Sequence, residues 1–240
     1  DGGAEFGRFF AAALHPTLTS EADRGITLGA ALKEAVINTI AVAFASIGLA
    51  IVVGFVWGCL ASEAFWDHDP VVMTSTARRV GRLFGAGSIK TALRLLMAVF
   101  RSVHELVWAL LLTSIFRVHL IFGIVALAIP FAASYGRIFA EILDETPRDA
   151  ARALRFLGAS DGLVFAFGLL PRAMPAMLSY TFYRFDCAVR SSAVLGFVGF
   201  PTLGLYIKAS FNELYYREVW TWLYVLFAIL MVTEVASGLV

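Results

Sequence analysis

Thr146-Pro-Arg-Asp-Ala-Ala-Arg-Ala-Leu-Arg-Phe-Leu-Gly158 lies between two long apolar runs and is followed, thirteen residues after its glycine, by Pro171. Thr146 stands where a helix N-cap belongs, Pro147 suits the first helical position, and Asp149 takes the acidic place of a capping box. Gly158 supplies a glycine stop. The spacing therefore predicts a helix of about eleven residues within 147–158, roughly 16 Å long at 1.5 Å per residue. Ala150, Leu154 and Leu157 fall on one stripe of it, and Arg148, Arg152 and Arg155 on another. Such a helix can rest its apolar stripe in a partner's groove with arginines at the rim. A helix lying on lipid headgroups satisfies the same pattern.

Working outward, the flanking sequence is apolar enough to cross a bilayer. Long runs cover about 35–64, 96–115, 119–143, 163–197 and 218–240, each sufficient for a transmembrane helix. Residues 1–34 read as an external segment in which Phe9–Leu14 is apolar but too short to span, and 35–240 as the membrane domain. The first run carries Gly54-Phe-Val-Trp-Gly58, a spacing of small residues that lets another helix approach closely. The fourth is interrupted by Pro171 and Pro175, which remove helix hydrogen bonds and predict a kink. The polar stretches 65–94 and 144–162 hold five and three basic residues, against six on the opposite side. That bias places both stretches in the cytoplasm, the first residues outside and the last inside.

Composition agrees. The chain has 240 residues, 60% hydrophobic and 15% charged, with a mean hydropathy of +0.80, whereas soluble domains are about 25% charged. A net charge of +1 argues neither for nucleic acid nor for a strongly acidic partner, and no nucleic-acid partner is expected. Cys59 and Cys187 sit in apolar runs and make no disulfide framework. Gly85-Ala-Gly-Ser-Ile-Lys90-Thr91 fails as a nucleotide-binding loop because Ile89 stands where the second glycine must be, and it reads as a cytoplasmic loop. The four histidines, His15, His68, His104 and His119, have no metal-ligand spacing. The sequence thus predicts no catalysis and no cofactor in this chain.

Arg152-Ala-Leu-Arg-Phe-Leu-Gly158-Ala-Ser, with Gly168-Leu-Leu-Pro171 beyond it, resembles the cytoplasmic loop of ABC importer permeases, including the glycine-to-proline spacing. Arg101-Ser-Val-His-Glu-Leu-Val-Trp-Ala-Leu110, Leu178-Ser-Tyr-Thr-Phe-Tyr-Arg-Phe-Asp186 and Val189-Arg-Ser-Ser-Ala-Val-Leu-Gly-Phe-Val-Gly199 are similar to permeases of the phosphonate and phosphite importers. The resemblance implies an all-α, type I importer permease in a bacterial inner membrane. It also implies a second copy of the chain, an external substrate-binding protein and a dimer of ATPase subunits that bind ATP and magnesium. Ala153, Leu154 and Gly158 then carry over as coupling positions. Arg152 departs from the usual Glu, His104 from the usual Pro, and Phe200-Pro-Thr202 from a glycine-rich run. Within the same machine another small solute, an amino acid or other oxyanion, remains open. An ion-coupled secondary transporter would show internal repeats, and none is evident.

Charges fall inside the spans. Arg101 and Glu105 are four residues apart, as are Asp186 and Arg190, a spacing that brings partners together on one helix face. Arg190 with Ser191 and Ser192 could meet a small oxyanion in the translocation path, since the guanidinium fork matches its oxygens. Both pairs could equally be structural pins between helices.

Overall fold

The computed structural model describes residues 2–17, 28–66 and 86–238. Every regular element among the described residues is helical. In chain order these are α1 (Gly2–Ala13), α2 (Leu28–Ala61), α3 (Glu63–Trp66), α4 (Ala86–Ser102), α5 (Glu105–Phe116), α6 (Leu120–Glu145) and α7 (Asp149–Phe156). A turn, α8 (Asp161–Leu163), leads through a π-helix (Val164–Leu169) into α9 (Leu170–Val194) and a 3₁₀ turn (Leu195–Val198). The last two are α10 (Leu203–Asn212) and α11 (Tyr216–Gly238). Four stretches are long and apolar enough to cross a membrane: Leu28–Ala61, Leu120–Glu145, Asp161–Val198 and Tyr216–Ala236. The α4–α5 pair makes a fifth if counted as one broken span.

Four of the five predicted spans are therefore present as such, and there are four local corrections. Helix α2 starts at Leu28, so the end of the 1–34 segment is continuous with the first span. Helix α4 starts at Ala86, ten residues before the expected start of the second span at Leu96, so Ile89 and Lys90 are helical and not in a loop. The second span is not one helix. It stops at Ser102 and restarts at Glu105, and the Ser102 hydroxyl at that end donates back to the Val99 carbonyl (2.8 Å). Glu105 then occupies the first turn of α5, where the helix dipole favours an acid. Finally, part of the polar stretch after the fourth span folds as α10.

The prolines do not interrupt the fourth stretch. Pro171 has no N–H to offer the Phe167 carbonyl, and the preceding turn widens so that the Leu170 N–H reaches Phe165, five residues back. Pro175 is accommodated inside α9.

The chain divides into two compact units. The first comprises residues 1–46, 105–127 and 183–240. Its core packs Leu28, Ala31 and Ala35 against Ala193, Leu203 and Trp222, with Trp222 stacked on Tyr206 at 4.9 Å between ring centres. The second comprises 47–104 and 128–182, where Ala61, Met97, Ala133 and Ala140 meet. Here the Gly54–Gly58 spacing does what it promised. A Cβ on Gly58 would stand 2.9 Å from Phe139 Cβ, and one on Gly54 would strike Tyr135 Cβ. Only glycine lets α2 lie this close to α6.

Candidate coupling site and intramembrane charges

In the second unit, α7 is an eight-residue helix, shorter than the eleven expected. Thr146 does not cap it: its hydroxyl donates to the Ile142 carbonyl (2.6 Å) and finishes α6. The N-cap is Arg148, with no side-chain cap bond. The other end follows expectation. Gly158 has φ +82°, its N–H donates to Arg155 (2.9 Å) and that of Ala159 to Leu154 (3.1 Å). These two bonds satisfy carbonyls the helix end would orphan, in the manner of a Schellman stop.

The faces of α7 differ from the predicted stripe. Ala151 is buried, and a Cβ on Gly168 of the π-helix would stand 2.9 Å from its Cα and 3.2 Å from Leu154 Cδ1. Leu154 thus leans onto its own chain. Leu157 instead points outward, 83% exposed, beside Phe156 at 92%. The bare apolar surface is Phe156–Leu157, not Ala150–Leu154–Leu157, because the glycine at 168 draws the Ala151 side of α7 inward. Ala150, Arg148 and Arg155 are half-buried, while Arg152, Ala153 and Gly158 are exposed. Arg152, at the usual Glu position, lies 3.9 Å from Asp149 in the same helix.

Just before α7, Asp144 joins three elements, a role the sequence reading missed. One carboxylate oxygen accepts from the Ser62 hydroxyl (2.7 Å) and the Ala64 N–H (2.9 Å), and the other from Arg94 (3.3 Å). It thereby closes the α2–α3 turn and ties it to α4 and α6. A cavity of about 470 Å³ beside it is lined by Glu63, Arg94, Arg137, Glu141 and Glu145 among others. Arg137 and Glu141 pair across one turn at 2.8 Å.

In the first unit, Asp186 and Arg190 form the expected pair within α9. The Asp186 side chain is nearly buried, and its second oxygen accepts from Thr233 of α11 (3.1 Å). The Arg190 side chain stays 58% exposed. Arg101 and Glu105 do not share a helix, since one helix ends at Ser102 and the next begins at Glu105. Glu105 accepts instead from the Ser191 hydroxyl (2.7 Å), while Arg101 is exposed. Ser192 faces no open space: it is fully buried and donates to the carbonyls of Thr39 (2.9 Å) and Val189 (2.8 Å). Glu218, read as the first residue of the last span, is also fully buried and accepts from Ser210 (3.0 Å).

Ser192 belongs to a latch around Thr39. The Thr39 hydroxyl donates to Ala35 (2.7 Å) and accepts from the Leu203 N–H (3.0 Å), and Asn38 donates to the Pro201 carbonyl (3.0 Å). The segment 195–204 folds tightly under it. A Cβ on Gly204 would strike the Ala193 carbonyl, and one on Gly196 would meet Gly204 Cα at 2.6 Å. Gly199 turns the chain at φ +111°.

Several apolar spans, paired charges within them, and a short surface helix stopped by glycine and bearing bare apolar side chains define a multi-pass membrane protein. The chain belongs to the family described as "Binding-protein-dependent transport system inner membrane component", which matches residues 74–237 and comprises the permease subunits of ABC importers. It is 28% identical over 205 residues to the phosphite transport system permease protein PtxC of Stutzerimonas stutzeri, covering 84% of this chain and 67% of that one. HtxE, a permease protein of the same organism, is 30% identical over 144 residues, 60% of this chain and 55% of HtxE. The chain thus spans between half and about two thirds of the length of these relatives. Among solved structures, the inward-facing MetNI methionine ABC transporter matches with a TM-score of 0.69 at 22% identity, over 87% of this chain and 93% of that one. At that identity the likeness is one of fold.

Proposed function

We propose that this permease forms the translocation path for phosphite or a related small phosphorus oxyanion such as a phosphonate, moving it inward by alternating access. The observation that carries the cargo is the 205-residue similarity to a phosphite permease. In this reading two copies of the chain line the path, and an external binding protein delivers the anion. Two ATPase subunits, which hold ATP and magnesium, drive the cycle. Phe156 and Leu157 at the end of α7, rimmed by Arg148, Arg152 and Arg155, rest on the ATPase, and closure of that pair moves α7. The backing of α7 on Gly168 passes the motion to α9 through the π-helix and the Pro171–Pro175 turn.

Along the path, Arg190 offers a guanidinium fork to the anion. Asp186, already bonded to that guanidinium, keeps the encounter weak enough for release. Ser191, the residue after Arg190, pairs with Glu105 as a polar neighbour, and Ser192 is withdrawn into the latch.

The test is ATP hydrolysis by the permease–ATPase complex in phospholipid nanodiscs, with binding protein loaded in turn with phosphite, methylphosphonate, phosphate, sulfate and methionine. Stimulation by phosphite or methylphosphonate alone is the expected result, with loss of stimulation in Arg190→Ala. Stimulation by methionine or sulfate instead would keep the importer and overturn the cargo.

A further inference from the structure

Helix α1 was expected to be part of a separate external segment, yet it is bound to the last span along its length. Tyr216 Oη donates to Glu5 (3.0 Å), Trp220 Nε1 to the Phe9 carbonyl (2.7 Å) and Tyr224 Oη to the Ala13 carbonyl (2.9 Å). Both partners advance four residues at each step, so α1 ascends alongside the first turns of α11 in the same sense, over roughly 12 Å. The Phe9 ring fills the seam, 5.6 Å from Tyr216 and 5.2 Å from Trp220. Arg217 donates to His15 (2.8 Å) and Thr221 to Thr17 (2.7 Å), fixing the exit of the helix.

The two flanks beside this seam differ. On one, Phe6, Phe10 and Leu14 recur every fourth residue and are 67%, 50% and 79% exposed. On the other, Arg8 is exposed and pairs with Glu5 (2.9 Å). Two residues apart on a helix is a rotation of about 200°, so Arg8 and Phe10 face nearly opposite ways. A flank turned to water would not carry three large apolar side chains and no charge. The contact partners on α11 also fix the depth. Tyr216, Trp220 and Tyr224 form the tyrosine–tryptophan grouping that collects at a membrane–water boundary. Further along the same span, Phe227 and Met231 are likewise exposed, at 49% and 69%.

We propose that α1 stands alongside the start of α11 at the membrane boundary, with its Phe6–Phe10–Leu14 flank seated in lipid, in the leaflet where α11 begins, and Arg8 turned away from the lipid. The lipid-facing surface of the last span is thereby widened by one helix at the boundary, and α11 is held there by the five bonds above. This rests on the membrane-spanning reading of α11 and is independent of the cargo.

The experiment is site-directed spin labelling of the full chain in phosphatidylcholine–phosphatidylglycerol nanodiscs, with Cys59→Ala and Cys187→Ser as background. A nitroxide is placed in turn by Phe6→Cys, Phe10→Cys, Leu14→Cys and Arg8→Cys, and its collisions with oxygen and with a water-soluble nickel chelate are measured. A severalfold higher oxygen-to-nickel ratio at 6, 10 and 14 than at 8 is expected. A nickel-dominated signal at the three positions would mean that the flank faces water. Suppressed collision with both reagents would mean that protein covers it, whether a second copy, a binding protein or another segment. Either result overturns the proposal, and three positions keep the outcome independent of whether any single variant folds.

Discussion

The latch around Thr39 and the helix α7 are built on opposite plans. In the latch every named polar group has a partner, its glycines let backbone press on backbone, and Ser192, Thr39 and Leu203 are fully buried. In α7 the backing is thin, one alanine and one leucine against a glycine, and two large apolar side chains are left bare. The first region is complete within one chain. The second has the composition of an interface core without its other half, and under the proposed function the ATPase is that half.

If that contrast is right, substitutions in the two regions should fail differently. The largest effect is expected from Gly204→Val, whose Cβ would strike the Ala193 carbonyl. Overpacking against backbone has no flexible neighbour to absorb it. The variant should give no monodisperse protein on size exclusion, whereas Gly48→Ala, with nothing within 4 Å of its Cβ, should behave as the parent.

Next comes the double variant Phe156→Asp, Leu157→Asp. Loss of two central anchors costs about 2 kcal/mol each in an interface, so co-purification with the ATPase should fall by well over tenfold. The melting temperature of the permease alone should not move, because neither side chain packs on its own chain. A lowered melting temperature would mean that these residues are core, and would erase the contrast.

Thr39→Val should act the other way, on stability and not on recruitment. It leaves the buried Leu203 N–H without its acceptor, a cost of about 1–3 kcal/mol visible as a lower melting temperature, which Thr39→Ser should restore. The smallest effect is expected at Arg101. An exposed charge outside any packed feature contributes within about 0.5 kcal/mol, so Arg101→Ala should leave melting unchanged, while Asp186→Ala should lower it.

The spans were legible because hydropathy is a sum over many residues, and the glycine stop at 158 because left-handed backbone favours one residue type. The small-residue spacing at 54 and 58 announced a close helix contact for a similar reason. Details decided by single distant partners were not legible. Thr146 reads as an N-cap until Ile142 takes its hydroxyl, and the 101–105 pair reads as one helix face, whereas the helix stops at Ser102 and restarts at Glu105. The orientation of α7 depends on Gly168, twelve residues after its last residue, Phe156, so the wheel alone chose Leu154 and passed over Phe156. The binding of α1 to α11 joins residues about 211 apart, beyond any pattern of period two or four. Asp144 gave no signal at all, since one acid at a helix end looks like any other.

The central claim is that the bare end of α7 is covered by the ATPase. The direct test is alkylation of Phe156→Cys, in a Cys187→Ser background, by a membrane-impermeant maleimide in nanodiscs with and without the ATPase subunits. The account predicts rapid labelling of the permease alone and strong protection in the complex. Equal labelling in both, with the complex intact by size exclusion, would contradict it.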